Sequence, residues 1–549
     1  MEKLNIYKDA EFLGEMDYEE NLTVKDICRK YEIPCFDVIS ARFNNIFLTS
    51  SIVPAAGKMQ LVTIHSSTGN SIRQNTTVFI MLKAFYNCFN GQYKIVVEHS
   101  VGDGVYCEVF GNKVFSSEEL DILKAEMERI ITAGLTISKA VYTYQEAYRI
   151  FTECDRKDVL PLLNREENVI YECGKFNELI FAQLANTTDS IKNFKLKYHS
   201  PGFIVRYPSL GRNELSEDYH IPQKLFTAHQ EHDKWLGIIN LHVVKSLNKA
   251  IDNCTIQEKI QIEEALHERK LVKISDEIVA NRQLRLILIA GPSSSGKTTF
   301  SKRLAIQLIV NGIRPKQISL DDYFLPHDRT PRKKNGDYDF ENIEAIDLER
   351  LNNDLSDLLE GKTVALPKYE FTNGTSHPSG RTITLKPNDL LVIEGIHGLN
   401  DILTQSIPFQ QKTKIYVSAL NSLNIDEHNR ISTTDSRRIR RIVRDHQFRG
   451  STAELTLKRW DDIREGELKY IFPYQENADY MFNSILTYEL SVLRQFARPL
   501  LETIDISSPV FPEAARLLLI LDLIRSIPLE FVPANSIVRE FIGGSAFKY

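Results

Sequence analysis

Gly291-Pro-Ser-Ser-Ser-Gly-Lys-Thr298 stands between an apolar run, Leu286-Ile-Leu-Ile-Ala290, and a stretch with helical spacing, Thr299-Phe-Ser-Lys-Arg-Leu-Ala-Ile-Gln-Leu-Ile-Val310. The run reads as a buried strand and the second stretch as a helix. The pattern G-x-x-x-x-G-K-[ST] at a strand-to-helix junction is a phosphate-binding loop. Gly291 and Gly296 let the backbone form a nest around Ser293, Ser294 and Ser295, with N–H groups pointing inward. The next helix brings its positive dipole end to the same place. Lys297 adds a mobile cation for the outer phosphates, and Thr298 offers a hydroxyl to a magnesium ion.

Two further apolar runs end in acidic residues. Gln317-Ile-Ser-Leu320 runs into Asp321-Asp-Tyr-Phe324, and Leu390-Leu-Val-Ile393 into Glu394-Gly395. From 284 to about 526 strands and helices alternate, the signature of a parallel sheet with helices on both faces. Ligands gather at the carboxyl ends of such strands, so Lys297, Asp321 and Glu394 are expected around one cleft.

With 549 residues the chain is too long for one core, and three or four domains are expected. A net charge of −6 argues against a protein that coats nucleic acid. The first residues carry no apolar signal core, and no apolar run reaches membrane length. Seven cysteines without a C-x-x-C pair suggest reduced thiols in a cytoplasmic protein.

Residues 284 to about 490 resemble the uridine–cytidine kinase and phosphoribulokinase branch of P-loop kinases. The likeness rests on the loop through Thr299, Leu320-Asp-Asp-Tyr-Phe324, Tyr338-Asp-Phe-Glu341, Pro367-Lys-Tyr-Glu-Phe371 and Ile393-Glu-Gly-Ile396. It implies ATP and Mg2+ as cofactors. It makes Asp321 the catalytic carboxylate that takes the proton of the attacking hydroxyl, with Asp322 as runner-up. Glu394, with Thr298, would hold magnesium. Glu341 falls where the family holds an aspartate on the ribose hydroxyls, one methylene longer here. Phe324, Phe340, Tyr369 and Phe371 would line the base pocket, and His377, after a longer interval than the family's, would contact the base.

Arg437, Arg440, Arg441 and Arg444 recur at i, i+3, i+4 and i+7, which puts four guanidiniums on one helix face. Such charges repel, and a polyphosphate would relieve them. The stretch resembles the family's arginine-rich lid. Arg441, Arg444 and Arg449 are then nucleotide contacts and Arg437 a substrate contact, while Ser451 stands where the family often has another arginine.

The front half resembles modules of threonyl-tRNA synthetase. Residues 1–64 look like a TGS domain, a small ubiquitin-like α+β fold with a Thr-capped helix at Leu22–Tyr31. Residues 65–224 look like the synthetase's second, editing domain, also α+β, with a capping box from Ser116 to Glu119. That family's H-x-x-x-H falls on Asn75 and Phe79, and its C-x-x-x-H on Cys173 and Asn177. Three of the four groups are gone, so neither editing nor a metal is expected here. Residues 225–280 read as a helical connector with an apolar stripe at Ile238, Ile239, Leu241, Val244, Leu247 and Ile251. His229 and His232 in it read as a solvated face for want of a third ligand. Residues 281–549 complete the kinase region, and the part after about 490 carries no assignable chemistry.

The resulting expectation is an ATP-dependent kinase of a nucleoside 5′-hydroxyl, uridine or cytidine first. Another small hydroxyl acceptor, such as a sugar phosphate, stays open. So does an RNA-associated switch protein, although no N-K-x-D guanine-reading motif is present. RNA contact by the N-terminal domains and a homo-oligomer are the partners left open, and no membrane is expected.

Overall fold

The computed structural model describes residues 3–217, 219–333, 336–370 and 373–548. Among the described residues five sheets carry the fold. The first comprises β1 (Lys3–Lys8), β2 (Glu11–Asp17), β3 (Val38–Phe43), β4 (Ile46–Phe47) and β5 (Gly57–Thr63), in the order β2-β1-β5-β3-β4. Only β1 and β5 run parallel. Helix α1 (Val24–Lys30) packs on this sheet through Ile27 and Cys28, and Thr23 caps it in a capping box with Asp26.

Helix α2 (Ser67–Phe89) then covers a sheet made from β6 (Tyr93–Val101), β7 (Gly104–Gly111), β11 (Lys195–His199) and β12 (Gly202–Arg206). Helix α3 (Ser117–Thr132) starts at the expected box, Ser116 and Glu119 each accepting from the other's backbone N–H. A small sheet of β8 (Ser138–Thr143), β9 (Glu167–Cys173) and β10 (Phe176–Glu178) packs on α4 (Tyr144–Glu153).

The apolar stripe expected over 238–251 does not form one helix. Helix α5 (Gln223–Ile239) ends on Asn240, which adopts the left-handed conformation that asparagine tolerates. Helices α6 (Val244–Asp252) and α7 (Ile256–Ala280) come next. All three share a hydrophobic core with the next unit, from Leu236 through Ile278 to Phe300 and Leu304.

That unit is a five-stranded, all-parallel sheet: β13 (Leu286–Ala290), β14 (Lys316–Ser319), β17 (Leu391–Glu394), β18 (Lys412–Ser418) and β19 (Tyr480–Asn483), ordered β14-β17-β13-β18-β19. An antiparallel hairpin, β15 (Thr363–Glu370) and β16 (Thr375–Thr384), stands beside it. Both faces of the sheet are covered, which is why its strands are continuously apolar. Ile287 and Ile289 face one core, with α8 (Lys297–Val310). Leu286 and Leu288 face the other, with α9 (Leu348–Leu359). Helices α10 (Thr433–Arg449), α11 (Ala453–Lys458), α12 (Trp460–Tyr470), α13 (Glu489–Glu502), α14 (Phe511–Asp522) and α15 (Arg539–Ile542) complete the chain. The last two pack back on the first core through Leu517, Leu521 and Phe541. Among the described residues no helix is long and apolar enough to cross a membrane.

Candidate active site

Strand register brings the three sequence-expected groups together. Ile289 and Ser319 both pair with Glu394, so β13, β17 and β14 end level, and the loop, Glu394 and Asp321 leave from one edge. A Cβ on Gly291 would lie 2.0 Å from the Val417 carbonyl oxygen, so only glycine lets the loop pass there. Ser294 (φ 58°) and Gly296 (φ 85°) are both left-handed, which turns successive N–H groups into the nest.

At the first turn of α8, Thr298 Oγ1 donates to Glu394 Oε1 at 3.3 Å. Glu394 Oε2 is buried with no hydrogen-bond partner among the described residues, and burial pushes this carboxyl up to about 7, with Lys297 opposing. Among the described residues the Ser294 and Ser295 hydroxyls are likewise buried without hydrogen-bond partners. An orphaned carboxylate oxygen beside a hydroxyl, next to a nest of N–H groups, fits a magnesium–nucleotide: Thr298 and Glu394 on the cation, the loop on phosphate. Lys297 Nζ folds onto the carbonyl oxygens of Gly291 (2.8 Å) and Pro292 (3.1 Å). Desolvation lowers its pKa, while Glu394, Asp321 and Glu540 raise it. Asp321 opens to the cleft, and its carboxyl is raised by the protein around it, with Lys297 pulling the other way. Asp322, the runner-up, is tied to Lys368 at 2.8 Å.

Two carboxylates that the sequence reading did not single out sit on the loop's backbone donors. Ser293 N–H donates to Glu467 Oε1 at 3.2 Å. Thr299 donates to Glu540 Oε2 from its N–H (3.1 Å) and its hydroxyl (2.6 Å). Glu540 belongs to α15, in the segment that offered no chemistry to a sequence reader.

The arginine helix departs from expectation. Arg437 is 1% exposed and does not face a substrate. Its guanidinium is bound to buried Glu467 and donates to the Ser293 carbonyl at 2.9 Å. Arg440 is buried too, held by Glu489, and reaches the Ser294 carbonyl at 3.3 Å. Both brace the loop from beneath, because α10 packs against it and α13. Asp445 takes up the remaining repulsion, with Arg441 (3.1 Å), Arg444 (2.7 Å) and Arg449 (3.7 Å) around it. Arg441 also donates to the Ser293 hydroxyl, so it is the lid candidate nearest the loop.

On the far side of the cleft Phe324, Phe340 and Tyr369 form a ring cluster, with centroids 5.3, 5.7 and 6.2 Å apart. Glu341 lies next to it, its carboxyl pushed up to about 7 by burial and by Glu467. Gly466 makes room for it, since a Cβ there would come within 2.6 Å of Glu341 Cγ. His377 does not join the cluster. It pairs with Lys368 in the hairpin, and both point to solvent while the neighbouring Tyr369 points inward. His327 takes the place instead, stacked on Tyr338 at 4.1 Å and 6.0 Å from Phe340. Its position three residues after Phe324 was the available signal. Phe371 lies outside the described residues.

In the front half, two of the four positions compared above, Phe79 and Cys173, are buried in the core, while Asn75 and Asn177 are half-buried. Phe79 is fully buried against Tyr171 and Phe176, and Lys83 Nζ donates to the Cys173 carbonyl at 2.8 Å. Cys173 is buried, and burial raises its thiol. His229 and His232 are not a solvated face: they are 3% and 2% exposed, because α5 is covered by the β6–β7 sheet on one side and the kinase unit on the other.

This parallel sheet, with a phosphate loop after its central strand and acids at the neighbouring strand ends, defines a P-loop phosphotransferase. Residues 286–491 match the Phosphoribulokinase / Uridine kinase family, and the chain belongs to it. Uridine kinase of Macrococcus caseolyticus is 31% identical over 195 residues, 35% of this chain and 85% of that protein. Uridine kinase of Deinococcus deserti is 28% identical over 195 residues, 35% of this chain and 84% of that protein. A solved structure described as "Structure of a Possible Uridine Kinase from Bacillus stearothermophilus" is 24% identical, covering 24% of this chain and 70% of that one, with a TM-score of 0.21.

Proposed function

We propose that the protein phosphorylates the 5′-hydroxyl of a nucleoside with ATP, uridine or cytidine being the first candidates. The observation that carries this is the convergence of Lys297, Asp321 and Glu394 on one cleft whose opposite wall is a cluster of aromatic rings. Flat rings suit a base, whereas a sugar phosphate would call for more positive charge. Asp321 orients the acceptor hydroxyl and receives its proton. Lys297 and Arg441 stabilise charge on the transferring group. Thr298 and Glu394 would hold Mg2+, which neutralises phosphate charge when bound. Glu341 takes the ribose hydroxyls, and Phe324, Phe340, Tyr369 and His327 enclose the base.

The division 1–64, 65–224, 225–280 and 281–549 is part of this reading. Residues 1–64 have a cluster of their own around Leu4, Ile27 and Leu61, although Ile39 and Val62 join the core of the next unit, and the core shared by α5–α7 with β13 makes 225–280 a layer of the kinase unit. The TGS-like assignment of the front half is supported by the β2-β1-β5-β3-β4 strand order and by the sequence likeness, and the editing-like one by the sequence likeness. The packed Phe79–Cys173 region supports a front half that does not edit.

The test is a panel of nucleosides and sugar phosphates with γ-labelled ATP, run on the full chain. Label transfer to a pyrimidine nucleoside above all others is the expected result. Transfer to sugar phosphates alone, or ATP consumption indifferent to acceptor, refutes it.

A further inference from the structure

Strand β6 changes face halfway along. Ile95 and Val97 point into the core beneath α2, yet Val101, of the same parity, points into the opposite cluster with Tyr106, Ile204 and Phe226. The switch is a β-bulge. Val97 pairs with Cys107 and Ser100 with Val105, so Glu98 and His99 together stand opposite Tyr106 alone. Bulges re-aim side chains, and they occur beside functional sites. This one turns His99 out of the α2 core and onto the face covered by α5, where Glu98 already points. There Asp233 meets them, one helical turn beyond His229.

One ligand atom from each of Glu98, His99 and Asp233 lies within 4.8 Å of the other two. His99 is 3% exposed, and neither of its ring nitrogens has a hydrogen-bond partner among the described residues. A buried polar atom left unpaired is destabilising, and here both nitrogens of one ring are unpaired beside two carboxylates. His229 does not relieve this, because its ring stacks flat on His99 at 3.8 Å and 8°. Glu108 adds a third carboxyl group, and burial together with these neighbours pushes Glu98 up to about 8. Arg430 is near enough to act on His99, and Ser422 on Asp233.

We propose that Glu98, His99 and Asp233 bind one divalent transition-metal ion. An imidazole with two carboxylates suits zinc or manganese. At ligand distances of about 2.0–2.2 Å, side-chain shifts of roughly 1 Å close the set, and a water completes it. The ion sits at a joint. Val97 N–H donates to the Glu427 carbonyl at 2.8 Å, and Asn424 Nδ2 to the Val97 carbonyl at 3.2 Å, so β6, α5 and residues 422–430 of the kinase unit meet there. Its role is to tie the front half to the kinase.

The experiment uses the full chain, stripped with chelator and kept free of nucleotide, then equilibrated with micromolar Zn2+ or Mn2+. Bound metal is counted by mass spectrometry, and Co2+ is added as an absorption probe. One ion per chain is expected, with a visible cobalt band and a rise in Tm on adding Zn2+. His99→Asn is expected to lose the ion and the band. Glu98→Gln and Asp233→Asn, at half-buried positions, are expected to weaken affinity at least ~10-fold, the scale already seen for losing outer-shell partners, with unchanged far-UV circular dichroism. Glu394→Gln is expected to keep the ion. An unmetallated wild type, variants that bind as it does, or loss of the ion in Glu394→Gln instead would each overturn the proposal.

Discussion

Glu540→Gln should tighten ATP binding. Glu540 Oε2 takes both the N–H and the hydroxyl of Thr299 at the first turn of α8, and a phosphate held by the nest has to displace it. A hydrogen bond to a charged acceptor is worth about 1.5–3 kcal/mol net, against about 0.5–1.5 for a neutral one. A negative charge at a helix N-terminus adds about 0.3–1 kcal/mol. Glutamine keeps the shape and an acceptor oxygen but loses the charge, so the competitor weakens by about 2 kcal/mol, roughly twentyfold to thirtyfold in affinity. Repulsion between Glu540 and the incoming phosphates acts in the same direction. Calorimetric titration of wild type and variant with ATP measures the effect, and adenosine, which has no phosphate, serves as control. Unchanged or weaker ATP binding in the variant refutes the reasoning, as does an equal gain for adenosine.

Lys297→Ala should lower turnover at least ~100-fold, the scale of losing one transition-state donor, and normal turnover would remove it from the chemistry. Arg437→Ala strands Glu467 in the core and should destabilise the fold by about 3–5 kcal/mol. Arg437→Met with Glu467→Leu should cost less, and urea unfolding compares the two. Glu394 titrates near 7 because it is buried. Below that pH a proton competes for the cation site, so apparent Mg2+–ATP affinity should fall toward tenfold per unit. For stability of the nucleotide-free protein the sign is reversed. A carboxylate whose folded pKa is raised contributes stability that is full below its unfolded pKa and is lost as pH rises through about 7. Glu394→Gln should flatten both profiles, and profiles that stay unchanged would contradict the assignment. Phe340→Ala should raise the nucleoside KM roughly tenfold, the upper range of an aromatic contact, with kcat little changed. A fall in kcat at constant KM would move Phe340 out of the base pocket.

The loop, the three strand ends and the doubly covered sheet were legible in the chain because each is a local pattern. Gly291 and Gly296 declare a backbone turn, and the apolar runs before Asp321 and Glu394 declare buried strands whose ends must lie at one edge of a parallel sheet. Helix periodicity likewise placed four arginines on one face. It could not say that Arg437 and Arg440 turn inward, since that depends on Glu467 and Glu489 on other helices. His377 was the histidine expected at the base until the hairpin register sent it to solvent, and His327, which the sequence reading had not singled out, stands in the ring cluster instead. Glu540 pairs with Thr299 across 241 residues, and the bulge that joins Glu98 to His99 depends on the strand beside it. Local sequence fixes backbone conformation because its energetics lie within a few residues. The partner of a buried charge is chosen by whichever surfaces pack together, and only the folded chain brings those surfaces into contact.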